Sequence, residues 1–167
     1  MDTPILYAPS LYAIAWAVGL LLIGGLLTPL GDWYKNLRKP AWQPPGWLFG
    51  PAWTIILGLA AWAGLSGWNA GTPAQQLDVL IVFGVNGVFH LLWSPLFFKA
   101  QRPDWALIEV PFLWASVLAL IVALAPIDAR AAWLVVPYLA WVSFASFLNW
   151  TIVRLNPRPL AVARTPG

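Results

Sequence analysis

The sequence has no cysteine. That excludes disulfides, thiolate metal sites and cysteine nucleophiles. It has one histidine, His90, so a metal site built from histidine and cysteine is excluded as well. Charge is scarce: 9% of residues are Asp, Glu, Lys or Arg, against about 25% in soluble domains. No paired carboxylates lie close on one helix, and no Gly-rich phosphate loop precedes a helix. The few acids stand at the ends of apolar runs, whereas an ion-coupled carrier needs charge near the membrane midplane. The net charge of +3 comes from short connectors rather than a basic face, so nucleic acid is not an expected partner.

What is present is apolar surface. Of 167 residues, 60% are hydrophobic and 13 are Trp. A soluble fold of this size cannot hide so much apolar area, so lipid is the expected solvent. Charge-poor runs long enough to cross a bilayer, which takes about 20 helical residues, fall at about 9–28, 47–66, 79–98, 105–125 and 131–154. The expected fold is therefore all-α: a bundle of five transmembrane helices in one domain, 1–156, with a disordered tail, 157–167. The first residues carry no basic n-region of a secretory signal, so the first run reads as a retained span. Gly67 to Asp78 reads as a polar turn region. Glu109 reads as near the surface, where Arg102 could neutralise it.

The connector between the first two spans, 29–46, is unusual. It holds Trp33, Trp42, Lys35, Arg38, Lys39 and repeated prolines. Proline removes a donor and clashes with the preceding turn, so the connector reads as non-helical. Two readings stand: an interfacial loop whose Trp and Lys anchor helices at the headgroups, or a structured lid. The third span places Phe83, Asn86, His90, Trp93 and Phe97 on one face, within an arc of about 80°. Trp53 and Leu57 share a face of the second span, and Trp141, Ala145 and Asn149 form a stripe on the fifth. At about 1.5 Å per residue, Trp53, His90, Trp93 and Trp141 fall at a similar depth beneath the connector. They either pack the bundle or line a mostly apolar pocket for a flat hydrophobic ligand. A lone buried His is more often a packing residue than a relay.

Charge asymmetry sets the expected orientation. Counting Arg154 with the tail, eight of the nine bases lie in the connectors after spans one and three and in the tail. The positive-inside rule puts those segments in the cytoplasm, with the N-terminus outside and the C-terminus cytoplasmic.

The run Trp33-Tyr34-x-x-Leu37-x-Lys39-Pro40-x-Trp42-x-Pro44-Pro45, followed by Trp53-Thr54, resembles the signature of the TspO/MBR family. So do Leu92-Trp93-Ser94-Pro95-Leu96-Phe97-Phe98, Pro137-Tyr138-Leu139-Ala140-Trp141, and Leu148-Asn149 with Arg154-Leu155-Asn156. The resemblance implies a five-helix membrane bundle, commonly a homodimer, in a bacterial cell membrane. It implies porphyrin-type ligands, protoporphyrin IX or haem, and a role as sensor or regulator of tetrapyrrole and carotenoid metabolism or stress responses. No cofactor and no metal site are expected in the chain itself. Alternatives are a light-dependent porphyrin-degrading enzyme, in which Trp53 would be the catalytic residue, and a porphyrin or lipid transporter. By motif position, Trp53, Asn86, Trp141 and Ala145 would line the pocket, and Trp33 and Trp42 would lie in the lid. The chain departs from the pattern at His90, where many members have Asn, and at Asn86, where many bacterial members have Gln. Trp150 stands where a sterol-contact segment wants Tyr, so sterol binding is not expected.

Overall fold

The computed structural model describes residues 7–157, and those residues are all helical or irregular, with no strand among them. The tail beyond Pro157, expected to be disordered, lies outside the described residues. Five helices are long and apolar enough to cross a membrane. They are α1 (Tyr7–Leu26), α3 (Phe49–Ala70), α4 (Pro73–Ser94), α5 (Pro103–Leu124) and α6 (Ala129–Leu155). A short helix, α2 (Asp32–Asn36), lies in the connector after α1. In hydrocarbon every backbone group must be satisfied within the chain, which is why the spans are uninterrupted helices.

Two expectations need correction. The connector is not wholly non-helical, because the stretch between Pro29 and Pro40 holds no proline and leaves Asp32–Asn36 free to form a helical turn. The expected turn region Gly67 to Asp78 is mostly helix: only Gly71 and Thr72 separate α3 from α4. Local chemistry starts α4 early. Thr72 Oγ1 accepts from the Gln75 amide at 3.4 Å, Gln75 Oε1 accepts from the Thr72 amide at 2.9 Å, and Pro73 occupies the first turn. Gly67 lies inside α3, at a place where an added Cβ would collide with Leu124.

At the other end of α4, Pro95 lacks an N–H and the regular ladder cannot continue. The chain widens into a π-helical turn, Pro95–Lys99, closed by the Ala100 amide on the Pro95 carbonyl at 2.8 Å. This turn aims Phe97 and Phe98 inward, where both are buried.

The spans form a ring in the order α1, α3, α6, α5, α4, closing on α1. Their shared core holds the fully buried Leu57, Ala60, Val117, Leu120, Leu124 and Val135. Small residues set the close approaches. Gly64 faces the Phe83 ring, where an added Cβ would stand 2.9 Å from the nearest ring carbon. The outer faces expose Ile55, Trp62, Val88, Ile108, Val122 and Trp133, as a lipid-facing surface should. Helix α1 is the most lightly held, with Ala17 and Leu20 its buried side chains. It is tied to α4 by Trp16 Nε1, which donates to the Phe83 carbonyl at 3.1 Å, and by a hydrogen bond between Thr28 Oγ1 and Ser94 Oγ at 3.2 Å.

Gly64→Ala drives a methyl into a whole aromatic ring rather than a flexible chain end. We expect a loss of about 1–3 kcal/mol, the usual cost of overpacking, read as a lowered thermal midpoint in detergent. An unchanged midpoint would show that α3 and α4 are not packed this closely.

Candidate ligand-binding site

A cavity of about 410 Å³ lies inside the ring, towards the connector end. Each wall comes from a different element. Trp53, Leu57 and Phe49 come from α3, His90, Trp93 and Ser94 from α4, and Trp141, Ala145 and Asn149 from α6. Val110 and Leu113 close the α5 side, and Gly24, Gly25 and Thr28 form the α1 side.

Trp53 is the hub of the aromatic wall. Its ring meets three others edge to face: His90 at 4.8 Å between centroids, Tyr138 at 5.9 Å and Trp141 at 6.3 Å. Such pairings add about 0.5–1.5 kcal/mol each beyond area burial. Trp93 stacks on Phe97 at 5.1 Å and meets Phe98 at 5.9 Å.

Behind this wall the polar side chains are paired. Asn86 is fully buried and does not line the cavity. Its Nδ2 donates to Ser116 Oγ at 2.9 Å, and Tyr138 donates to its Oδ1 at 3.3 Å. Tyr138 OH in turn lies 2.9 Å from His90 Nδ1. Asn149 braces the start of α5. With its amide oriented to match its neighbours, Nδ2 donates to the Pro103 carbonyl and Oδ1 accepts from the Leu107 amide, both at 3.1 Å.

The acids do not fall as expected. Arg102 pairs with Asp104, its Nε donating at 2.9 Å, and stacks over Trp105 at 4.2 Å. Glu109 is instead buried, and neither carboxyl oxygen has a hydrogen-bond partner among the described residues. Its place one turn into the span puts Glu109 near the surface in sequence, within reach of Arg102. Its face of α5, shared with Leu113 and Ser116, decides its burial.

The connector caps the cavity through three ties. Asn156, just past α6, grips it by the backbone: Oδ1 accepts from the Arg38 amide and Nδ2 donates to the Arg38 carbonyl, both at 2.9 Å. Trp33 and Tyr34 pack on Phe97 at 6.1 and 6.5 Å. Trp42 stacks on Phe147 at 5.3 Å. Lys39 Nζ lies 4.2 Å over the Tyr34 ring, and Gln43 donates to the Tyr34 hydroxyl at 3.2 Å.

The structure thus brings Trp53, Leu57, His90, Trp93, Trp141, Ala145 and Asn149 to one cavity. Asn86 sits one layer behind, and Trp33 and Trp42 hold the connector down without lining the cavity. Sequence reasoning missed Tyr34, which supplies the connector's aromatic lining, and the glycine wall of α1. In sequence, small residues such as Gly24 and Gly25 signal no more than close helix contact.

The model of the TspO/MBR family matches residues 11–155. The chain belongs to the TspO/MBR family. It is 36% identical over 155 residues to the tryptophan-rich protein TspO of Chlorobaculum tepidum, covering 89% of this chain and 98% of that protein. It is 38% identical over 133 residues to a tryptophan-rich sensory protein of Cereibacter sphaeroides, covering 80% and 82%. To the human translocator protein it is 31% identical over 126 residues, covering 74% and 75%. With five membrane-crossing helices, this family member is a multi-pass membrane protein, and its bacterial relatives support a bacterial membrane.

Asn156→Ala removes both bonds to Arg38 while leaving α6 its own length. We expect trypsin to cut after Lys35 or Arg38 several-fold faster in the variant. Equal cleavage rates would mean that the clasp does not restrain the connector.

Proposed function

We propose that this protein is a membrane receptor for porphyrin-type ligands, which enter the aromatic cavity beneath the connector. The observation that carries the reading is the cavity itself. It is mostly apolar, it is walled by Trp53, Trp93 and Trp141, and it has a few polar side chains, among them Tyr34, His90, Ser94, Thr28 and Asn149. Large flat aromatic ligands are held by such walls, with a few polar groups setting their orientation. The connector, tied to α6 and to the π turn, is the lid of this site. The charge asymmetry puts the lid on the cytoplasmic side, where a tetrapyrrole or a protein partner could read its state. The names of two relatives, a sensory protein and a translocator protein, support a role in sensing or moving a ligand. The scarcity of midplane charge favours sensing over ion-coupled transport.

Protoporphyrin IX added to the purified protein should quench tryptophan fluorescence in a saturable way. Trp53→Ala and Trp141→Ala should each weaken binding about three- to tenfold, the loss of one or two edge contacts. Unchanged affinity in both variants would sink this pocket as the site.

A further inference from the structure

The cavity is not sealed all round. Three of its lining residues are glycines that are also exposed: Gly25 on α1, Gly46 in the turn that leads into α3, and Gly50 on α3. A Cβ added at any of the three would stand in open space. Phe49 turns to α6, its ring 5.7 Å from that of Trp141. Gly50, the next residue, stands about 100° round the helix from it and so off the α6 side. In the ring of spans the other neighbour of α3 is α1. The exposed glycines therefore edge a slot between α1 and α3, at the connector end of the bundle.

This seam has no polar fastening. The side-chain hydrogen bonds that tie α1 to the bundle run to α4, from Trp16 and from Thr28 just past the helix. The ring contact of Trp16, with Phe83 at 5.2 Å, goes to α4 too. None runs to α3 among the described residues. The buried side chains of α1, Ala17 and Leu20, lie further from the connector, and past Leu20 no residue of the helix is buried. Apolar contacts between helices are replaced by contacts with lipid tails when the helices part. Parting α1 from α3 alone thus leaves no buried polar group unpaired. Lifting the cap instead breaks both bonds between Asn156 and Arg38 and the stacks on Phe97 and Phe147.

We propose that the slot between the connector ends of α1 and α3 is a lateral portal. Through it a flat apolar ligand passes between the cavity and the hydrocarbon of the connector-side leaflet while the connector stays in place. This rests on the reading of the cavity as a porphyrin site and adds the route by which that site fills. The bare backbone at Gly25, Gly46 and Gly50 keeps the portal free of side chains, and the seam widens against lipid, which takes up the lost contacts. The partner that delivers the ligand is then the membrane itself.

The test measures protoporphyrin IX binding to the full chain in lipid nanodiscs by stopped-flow quenching of tryptophan fluorescence. The chain has no cysteine, so Gly50→Cys offers one thiol at the portal. Association and dissociation rates near those of the unaltered protein show that this variant is folded. Benzyl methanethiosulfonate then adds a bulky group at the thiol. Both rates should fall about tenfold and by a similar factor, so that Kd moves far less than either. Dithiothreitol, which removes the group, should restore both rates. Asn156→Ala, which loosens the cap, should leave both rates unaltered. Rates that the added group does not slow overturn the portal, as does a group that weakens binding only by speeding dissociation. Rates that rise several-fold in Asn156→Ala overturn it as well, since the ligand then passes the cap. In each of these cases saturable binding leaves the porphyrin reading standing. No saturable binding to the unaltered protein removes both.

Discussion

Hydrocarbon offers no hydrogen bonds, and nearly every feature of this molecule answers that constraint. It makes the spans helices rather than loops. It also dictates what happens to the few polar side chains that lie at depth. Ser116, Asn86, Tyr138 and His90 cannot each find water, so they are joined into one chain that begins at a backbone carbonyl of α5 and crosses to α4 and α6. Such a network holds three helices in register, since sliding any one of them leaves a buried group unpaired. Asn149 does the same work between α6 and the start of α5. Glu109 stands apart from this logic, buried with no hydrogen bond to either oxygen among the described residues.

The cavity exists because the ring is packed unevenly. Where α3, α5 and α6 meet, Leu57, Val117, Leu120 and Val135 fill the centre. Nearer the connector the facing residues of α1 are Gly24 and Gly25, and the space they leave is lined by large rings on the opposite walls. Those rings support one another edge to face and cannot collapse into the gap without giving up these contacts. The connector then closes the end. Its ties run to Asn156, to the π turn and to Phe147, so the cap is fastened to α4 and α6. Wall and cap are held separately, α1 by Thr28 and Trp16, the cap by Asn156 and the aromatic stacks.

The architecture was legible in the sequence because lipid makes hydropathy nearly sufficient: long uncharged runs can only be spans. The cavity-facing members of α3, α4 and α6 were legible too, since a helical face follows from spacing alone. What was not legible had three causes. Capping is local chemistry that hydropathy ignores, so the start of α4 at Pro73 fell in an expected turn. Burial of Glu109 depends on which face of α5 turns inward, and α5 is apolar on nearly all sides. Tryptophan carries too many meanings in a membrane protein: Trp47, Trp62 and Trp133 are exposed to the surroundings, Trp33 and Trp42 staple the connector, and only Trp53, Trp93 and Trp141 face the cavity. Composition counts all of these alike. The distinction between Trp33 and its neighbour Tyr34, one outside the cavity and one lining it, rests on a short helix that the later prolines obscured.

The same chain of hydrogen bonds links the dry core to the cavity wall. Its first member, Ser116, is buried on α5, and its last is His90 at the cavity. Between them Asn86 Nδ2 donates to Ser116 Oγ, and the Tyr138 hydroxyl stands between Asn86 Oδ1 and His90 Nδ1. Removing any one member leaves a buried polar group of another helix unpaired. The setting of the His90 ring on the cavity wall therefore depends on Ser116, a residue that does not line the cavity. Packing alone cannot hold a side chain through such a row of groups. It needs polar neighbours sealed from water that could replace a missing partner, and the interior of a membrane bundle provides that seal.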